Sequence, residues 1–424
     1  MLTHARRRNG EAREGKKRCN GCASNIMGIM SNELIPLLAR EAATKIVLLV
    51  MDGLGGFRTA ARRSELHEAR TPNLDQLAAE GSNGVHTVVA PGVTPGSGAG
   101  HLALFGYDPL TYQIGRGALS AAGIGYELKP GEVAARVNFC TLDAAGNIQD
   151  RRAGRISTEE TSRLCELITK GVSDVTMFPE RDHRALFVMT GSGLSPDLAD
   201  TDPQVEGYAP LPPTPLTAEA APTAALLTAF LNHAHEVLKN ERANFILLRG
   251  FDTHREVPGF ASRYRLKGFG VAGYPMYIGI ARLVGMDVAD LQPSFAAEVA
   301  MLSPSWDSHD FFYIHHKKTD SAGEDGNFDA KVAAIEEVDA VIPSIMDLQP
   351  DVICVTGDHS TPSPLKAHSW HPVPFLMWGA NVGLDSVDRF NEEDACAGAF
   401  GHILGKDLMP LMLAAAGRLA KFGA

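Results

Sequence analysis

Apolar runs alternate with amphipathic segments along this chain, and several of the runs end on an acid. Lys45-Ile46-Val47-Leu48-Leu49-Val50-Met51 is almost wholly apolar and rich in branched side chains. That pattern predicts a strand buried on both faces, as in a parallel sheet. It ends at Asp52-Gly53. Phe311-Phe312-Tyr313-Ile314-His315-His316 leads through Lys317-Lys318-Thr319 to Asp320, and Val352-Ile353-Cys354-Val355-Thr356-Gly357 leads to Asp358-His359. Thr71 as N-cap and Pro72 at the first helical position predict a helix running to about Glu80. Val332, Ile335, Val338, Val341, Ile342 and Ile345 recur at three- and four-residue spacing. They predict one amphipathic helix between Asp329 and Met346, covering the sheet between two strands. A last helix is expected after Gly405-Lys406-Asp407.

The middle of the chain reads differently. From about Gly125 to Pro258 it carries a Pro-rich loop, Pro210 to Pro215, and its own strand candidates. These are Val133–Phe139, Ala185–Met189 and Asn244–Leu248, with a helix from about Thr223 to Lys239 whose Leu227, Phe230, Leu231 and Leu238 share a side. The expected fold class is α/β: a mostly parallel sheet flanked by helices, with a smaller α/β domain inserted. Residues 44–124 and 259–424 form the discontinuous core and 125–258 the insertion. The sequence has 424 residues, which fits two domains. No internal repeat is evident.

Residues 1–43 are expected to be a disordered extension. They hold Arg6-Arg7-Arg8 and Lys16-Lys17-Arg18 without helical periodicity, and no apolar stretch of signal-peptide length follows. Cys19-Asn20-Gly21-Cys22 has redox or zinc spacing but no second pair. Met27 or Met30 is a candidate true start. The six cysteines are too sparse for a disulfide framework, and Cys140 and Cys354 lie in apolar runs. That suits a reducing cytoplasm. No run approaches the ~18 apolar residues of a membrane span. A net charge of −11 argues against a general nucleic-acid or membrane binder. An anionic substrate stays open, because local arginines or metals override the global sign.

In open α/β sheets, ligands gather at the carboxyl ends of the strands. Three strands therefore deliver Asp52, Asp320 and Asp358 to one edge, with His359, His368 and Glu324 near them. Carboxylates mixed with imidazoles suit Mn²⁺, Zn²⁺ or similar ions rather than Ca²⁺. The set is too large for one ion and fits two. Paired ions roughly 3.5–4 Å apart activate a nucleophile and clamp phosphoryl oxygens. Val93-Thr94-Pro95-Gly96-Ser97-Gly98-Ala99-Gly100-His101 supplies an uncrowded serine among glycines. Ser97 is the candidate nucleophile, activated by metal because a bare hydroxyl is weak. Pro95 and Ala99 break the G-x-S-x-G pattern, and neither a Walker loop nor a dinucleotide fingerprint is present.

Val50-Met51-Asp52-Gly53, Pro95-Gly96-Ser97, Phe105-Gly106-Tyr107-Asp108-Pro109, Gly357-Asp358-His359-Ser360-Thr361-Pro362 and Lys366-Ala367-His368-Ser369 together resemble the archaeal-type cofactor-independent phosphoglycerate mutases of the alkaline phosphatase superfamily. Gly115-Arg116-Gly117, Asp150-Arg151-Arg152-Ala153-Gly154-Arg155, His183-Arg184 and Leu248-Arg249-Gly250 extend the likeness, which runs from about Lys45 to Leu413. The resemblance implies an alkaline-phosphatase-like core and exchange of phosphate between the 3- and 2-hydroxyls of glycerate, without a bisphosphoglycerate cofactor.

It also implies that Asp52, Ser97, Asp358 and His359 hold one divalent ion, and that Asp320, Glu324 and His368 hold the other. Mn²⁺ is the expected metal, with Zn²⁺, Co²⁺ or Mg²⁺ as alternatives. Glu324 stands where better-known relatives carry histidine, a change that adds negative charge and alters metal preference. Arg116, Arg151, Arg155, His183, Arg184 and Arg249 are the expected substrate clamps, since guanidinium forks match carboxylate and phosphate. Asp150 is the candidate acid/base for the glycerate hydroxyls. Arg263 and Lys267 both remain candidates for the lysine-type contact to phosphate. The alternative activity is a metal-dependent phosphatase or phosphodiesterase on the same core. A non-catalytic metal-binding protein is a third.

Overall fold

The computed structural model describes residues 34–423. Its strands, in chain order, are β1 (Ile46–Met51), β2 (Ser82–Thr87), β3 (Glu132–Leu142), β4 (Ile148–Asp150), β5 (Val175–Arg181), β6 (Arg184–Thr190), β7 (Phe245–Thr253), β8 (Gly268–Ala272), β9 (Asp287–Val288), β10 (Phe311–His316), β11 (Val352–Thr356), β12 (Val373–Gly379) and β13 (Gly401–Leu404).

Eight of these form one sheet in the order β13-β2-β12-β11-β1-β10-β8-β9. β11, β1, β10, β8 and β9 pair in parallel, as do β13 and β2. β12 runs antiparallel between β11 and β2. Every residue of β1, β10 and β11 is buried. Their continuous apolar composition follows, because helices cover both faces. Leu48, Tyr313 and Cys354 pack on one side with Phe105, Ile280 and Met412. Val47, Ile314 and Val355 pack on the other with Leu74, Phe295 and Ile335. The register sets Leu48 beside both Tyr313 and Cys354. The three strands therefore finish side by side, and the residues after them meet at one edge.

The second sheet runs β4-β3-β6-β5, with β7 also on β3, and all its pairings are antiparallel. Helices Thr158–Thr169 and Ala221–Leu238 cover one face through Leu164, Ile168, Leu227 and Leu231. Helix Arg116–Gly123 covers the other through Ala118 and Ala121 against Ala134, Leu186 and Val188. The expected strands and helix of this region all form. β5 was not expected, because Pro179 interrupts it; proline is tolerated there because β5 is an edge strand. β2 and β8 were also not expected: Ser-Asn-Gly and Gly-Phe-Gly sequences carry little strand signal.

Two expectations need correction. The single helix between Asp329 and Met346 is split into Phe328–Asp339 and Ile342–Met346. Pro343 lies in the first turn of the second piece, where its missing N–H does no harm. The tail is also shorter than residues 1–43. Residues 34–38 are helical, and Ala39 bridges Leu419. The buried Arg418 guanidinium donates to the carbonyls of Ala42 and Thr44. A partner hundreds of residues away orders this stretch, and no local pattern announces it. Residues 1–33, with Cys19, Cys22, Met27 and Met30, lie outside the described residues. No helix among the described residues is long and apolar enough to cross a membrane.

Candidate active site

Ser97 is the first residue of helix Ser97–Leu104, with Gly96 as its N-cap. Unbonded N–H groups and the helix dipole favour an anion at such a terminus. The Ser97 Oγ lies 3.2 Å from His359 Nε2. One turn into the helix, a Cβ on Gly100 would sit 2.4 Å from the Asp358 carbonyl. Only glycine lets the serine helix press this close to the Asp358 loop. His101 lies buried beneath, its Nδ1 3.2 Å from Asp358 Oδ2.

Asp52 follows β1, and Asp358 follows β11 by two residues; both are fully buried. His359 Nε2 stands 3.2 Å from Asp52 Oδ1 and 3.4 Å from Asp358 Oδ2. Asp320 and Glu324 sit one turn apart on helix Lys318–Glu324. His368 rests its Nδ1 3.1 Å from the Pro95 carbonyl, on the serine loop itself. Its Nε2 faces Asp320 at 3.5 Å and Glu324 at 3.7 Å. Two groups have ligand atoms within 4.8 Å of one another: Asp52 with Asp358 and His359, and Asp320 with His359 and His368. Glu324 is outside both and half exposed, with 53 % of its side chain accessible. It touches the set only through His368.

The donor chemistry fits divalent cations. Among the described residues, Asp52 Oδ1 and Asp358 Oδ2 are buried with no hydrogen-bond partner. Both lie close to the His359 ring, but the alignment makes no hydrogen bond. Leaving carboxylate oxygens buried without a hydrogen bond is costly, and a shared cation would remove that cost. Burial works against the His359 imidazolium, yet Asp358, Asp52 and Asp320 together push its pKa up to about 9. Burial likewise opposes ionisation of Asp52, but Lys317, His315 and His359 hold its carboxyl well below the usual range.

The sequence reading passed over three of these groups. Lys317 Nζ lies 3.0 Å from Asp52 Oδ2 and 2.5 Å from Asp320 Oδ2. His315 Nε2 lies 3.1 Å from Asp52 Oδ2. Tyr277 stacks on His315 at 3.6 Å and faces Lys317 at 5.5 Å. The signal for Lys317 was its place directly after a buried strand and three residues before Asp320. Arg263 and Lys267, chosen for the lysine-type contact, are corrected. Arg263 donates to the Tyr264 hydroxyl and lies over the Tyr107 ring. It reaches Gly106 at the far end of the serine helix, about 13 Å from Ser97 at 1.5 Å per residue. Lys267 precedes β8, and its backbone N–H donates to the carboxylate of Asp310, which precedes β10. That is the amino edge of the parallel strands, opposite Ser97.

Arginines gather on the second sheet. Burial lowers the basicity of Arg116, Arg136 and Arg249; Arg136 and Arg249 lower Arg116 further, Arg136 lowers Arg249 further, and Glu180, Asp202 and Asp200 partly offset the burial of Arg136. Arg184 is lowered by burial and then by Arg136. Arg136, 7 % exposed and with no hydrogen-bond partner at its Nε among the described residues, was not anticipated. Among the described residues no carboxylate stands within ion-pair distance of Arg116, Arg136 or Arg184; Arg184 reaches the Tyr274 hydroxyl. Arg151 is different: a two-pronged pair with Asp202, at 3.1 and 2.6 Å, occupies it. Arg249 lies 3.6 Å from Asp200 and 3.7 Å from Asp202. Asp150 accepts the N–H groups of Arg152, at 2.7 Å, and Gly154, at 2.5 Å. Its carboxylate folds the turn that carries the exposed Arg155. His183 is buried and pushed down to about 3, by burial first and then by Arg184, Arg152, Arg136 and Arg155. Tyr277 packs edge-on against Tyr274, at 6.1 Å between ring centroids, and the Tyr274 hydroxyl meets Arg184. It is thus the link between the arginines and the acidic edge.

Known proteins match this architecture. A model of the 2,3-bisphosphoglycerate-independent phosphoglycerate mutase family matches residues 78–244. A probable mutase of that description from Thermotoga maritima is 47 % identical over 398 residues, covering 92 % of this chain and 99 % of the relative. One from Thermus thermophilus is 46 % identical over 405 residues, covering 92 % of this chain and all of the relative. Among solved structures, a protein from Pyrococcus horikoshii superposes with a TM-score of 0.77 at 30 % identity, over 91 % of this chain and 100 % of that one. A cofactor-independent phosphoglycerate mutase from Thermoplasma acidophilum gives 0.64 at 31 %, over 88 % of this chain and 100 % of that one. With a mostly parallel sheet, acids at its carboxyl edge and a serine at a helix start, the chain belongs to the 2,3-bisphosphoglycerate-independent phosphoglycerate mutase family.

Proposed function

We propose that this enzyme interconverts 3-phosphoglycerate and 2-phosphoglycerate through a phosphoserine at Ser97, within glycolysis and gluconeogenesis. The observation that carries the reading is Ser97 at a helix N-terminus, 3.2 Å from a buried histidine shared by two ligand groups. Asp52, Asp358 and His359, with Ser97, would hold one divalent ion; Asp320 and His368, with Glu324 at the rim, would hold the other. Mn²⁺ suits the set, and Zn²⁺, Co²⁺ and Mg²⁺ are the alternatives. When bound, such ions lower the pKa of the serine hydroxyl and neutralise phosphoryl oxygens.

The residues of the chain do the rest. Ser97 Oγ attacks phosphorus, and the bond to the glycerate 3-oxygen breaks. The helix N–H groups and Lys317 receive the transferred group. Glycerate stays captive, its carboxylate on the buried arginines, and turns. Its 2-hydroxyl then attacks phosphorus, and the Ser97 bond breaks. Arg116, Arg136, Arg184 and Arg249 are the principal clamps, and Arg155 and His183 belong to their rim. Arg151 acts by holding Asp202. Asp150 holds its turn and is the proposed acid/base for the glycerate hydroxyls. The five-stranded unit, residues 125–258, works as an inserted domain that closes over the site and keeps water from the phosphoserine. The described cysteines Cys140, Cys165, Cys354 and Cys396 are free thiols, in keeping with a cytoplasmic setting.

The test is purified protein with 3-phosphoglycerate and Mn²⁺, and no bisphosphoglycerate. Formation of 2-phosphoglycerate that stops with EDTA and in Ser97→Ala supports the reading. Release of inorganic phosphate without isomerisation replaces it with a phosphatase.

A further inference from the structure

Lys331 is the most deeply buried lysine or arginine among the described residues, and nothing in the reaction uses it directly. It is 0 % exposed. It sits in the first turns of helix Phe328–Asp339, where the helix dipole disfavours positive charge. Burying an ammonium is costly unless all its donors are met. An ammonium has three donors, and here each finds a backbone carbonyl: Gly53 at 2.9 Å, Gly55 at 3.2 Å and Thr361 at 2.8 Å. Among the described residues no carboxylate lies within ion-pair distance of it. This is a carbonyl cage, not a salt bridge.

The cage joins the two loops that carry the proposed metal ligands. Gly53 follows Asp52, and its N–H donates to Asp358 Oδ1 at 3.1 Å. The Thr361 N–H returns to the same two carbonyls, Gly53 and Gly55, at 3.2 and 3.1 Å. The Thr361 hydroxyl donates to Asp320 Oδ1 at 2.7 Å and lies 3.0 Å from His359 Nδ1. Gly53 has φ +63°, and a Cβ there would meet Thr361 Oγ1 at 2.5 Å and Asp320 Oδ1 at 2.9 Å. Lys331 is thus one residue, or one hydrogen bond, from ligands of both groups. Without its charge, three converging carbonyl dipoles would repel one another, and the loops would part.

We propose that Lys331 is a positioning residue that serves as a built-in monovalent cation, fixing the Asp52–Gly55 loop against the Asp358–Thr361 loop so that both divalent sites are preformed. The inference rests on the two-metal reading above. Its effect is on metal affinity, because groups supporting metal ligands typically change it 10–100-fold when removed.

The test compares Mn²⁺ affinity, from the electron paramagnetic resonance signal of free Mn²⁺, in the wild type and in Lys331→Met. The expected result is binding about ten-fold weaker or worse, with far-UV circular dichroism and elution volume unchanged. In Lys331→Ala, ammonium or methylammonium is expected to restore part of the affinity, while the wild type ignores both. Equal Mn²⁺ affinity in wild type and Lys331→Met overturns this inference alone. No Mn²⁺ binding by the wild type overturns the metal reading and this inference with it. If neither variant folds, ¹⁵N-lysine NMR of the wild type decides. A slowly exchanging ammonium resonance with through-space contacts to Gly53 and Thr361 supports the cage, and its absence overturns it.

Discussion

His359 and His183 bring the same imidazole into oppositely charged surroundings. Both are buried, and burial alone disfavours the charged ring in each. At the sheet edge Asp358, Asp52 and Asp320 overcome that, and His359 rises to about 9. On the five-stranded sheet the arginines add to it, and His183 falls to about 3. One region holds more buried negative charge than its own residues satisfy; the other holds more buried positive charge. Neither imbalance is a good way to stabilise a fold. Each is readily understood as a site awaiting its counter-charge. In the proposed reaction, divalent cations would complete the first region, and an anionic phosphorylated acid would complete the second and reach the ions. The seam between them is Tyr277, Tyr274 and Lys317.

The largest effect is expected at the point where the two regions meet. Ser97→Ala should cost about 10⁴-fold or more in kcat, with the fold intact by circular dichroism. Intact-mass measurement should find no phosphorylated chain. Retained phosphorylation at another residue would separate the acidic edge from the chemistry.

Metal removal tests the acidic region next. EDTA should abolish isomerisation and lower the melting temperature by roughly 5–10 °C relative to protein at a hundred-fold excess of Mn²⁺ over its dissociation constant. Readdition should restore both. A melting temperature that does not move would mean that the buried carboxylates need no cation.

The arginine region should respond in the opposite sense. Arg136→Met removes a buried cation that, among the described residues, has no carboxylate at ion-pair distance. Stability should hold or rise, while kcat/KM falls roughly 10–100-fold, mostly through KM. Urea midpoints and steady-state kinetics on one preparation check this. A destabilised variant with normal KM would make Arg136 a structural residue.

The histidine contrast itself can be measured. The folded pKa of His183 is depressed, so the folded state refuses a proton that the unfolded chain accepts near 6.5. Its contribution to stability is complete above about pH 6.5 and is lost as pH falls toward about 3. His183→Asn should flatten the loss of stability between pH 6.5 and 4 by up to ~1.4 kcal/mol per pH unit. His86 and His315, both lowered to about 4, will leave a residual slope. An unchanged slope would remove the arginine field from the account. The smallest effect is expected for Lys267→Ala, which should leave kcat and KM within about two-fold, because it lies at the opposite sheet edge. A large loss would restore it as a phosphate ligand.

Much of the acidic region was legible in the chain, and little of the basic one. Asp52, Asp320 and Asp358 each follow a buried apolar run, so strand-end chemistry could be read one strand at a time. Lys317 sat in plain view in the same stretch. It was missed because a lysine beside Asp320 looks like an ordinary surface residue until β1 brings Asp52 to it. Arg136 lies inside a strand pattern, where a charge reads as an outward-facing position. Only helix Arg116–Gly123, laid over that face, shows it to be buried. The hydroxyl of Tyr274 and the ring of Tyr277 gave no local sign of joining two sheets.

By itself, then, the sequence determined the strands β1, β10 and β11 of the large sheet, the acids that follow them and an uncrowded serine among glycines. Those features depend on apolar runs, capping and glycine geometry within a few residues. The tertiary structure alone decided which charges share a space. It joined residues 34–43 to Arg418, sent Arg263 and Lys267 away from Ser97, tied Arg151 to Asp202, and set Lys331 among three carbonyls. Electrostatic partnership depends on distance and burial, and both are fixed by strand order and helix packing between segments far apart in the chain.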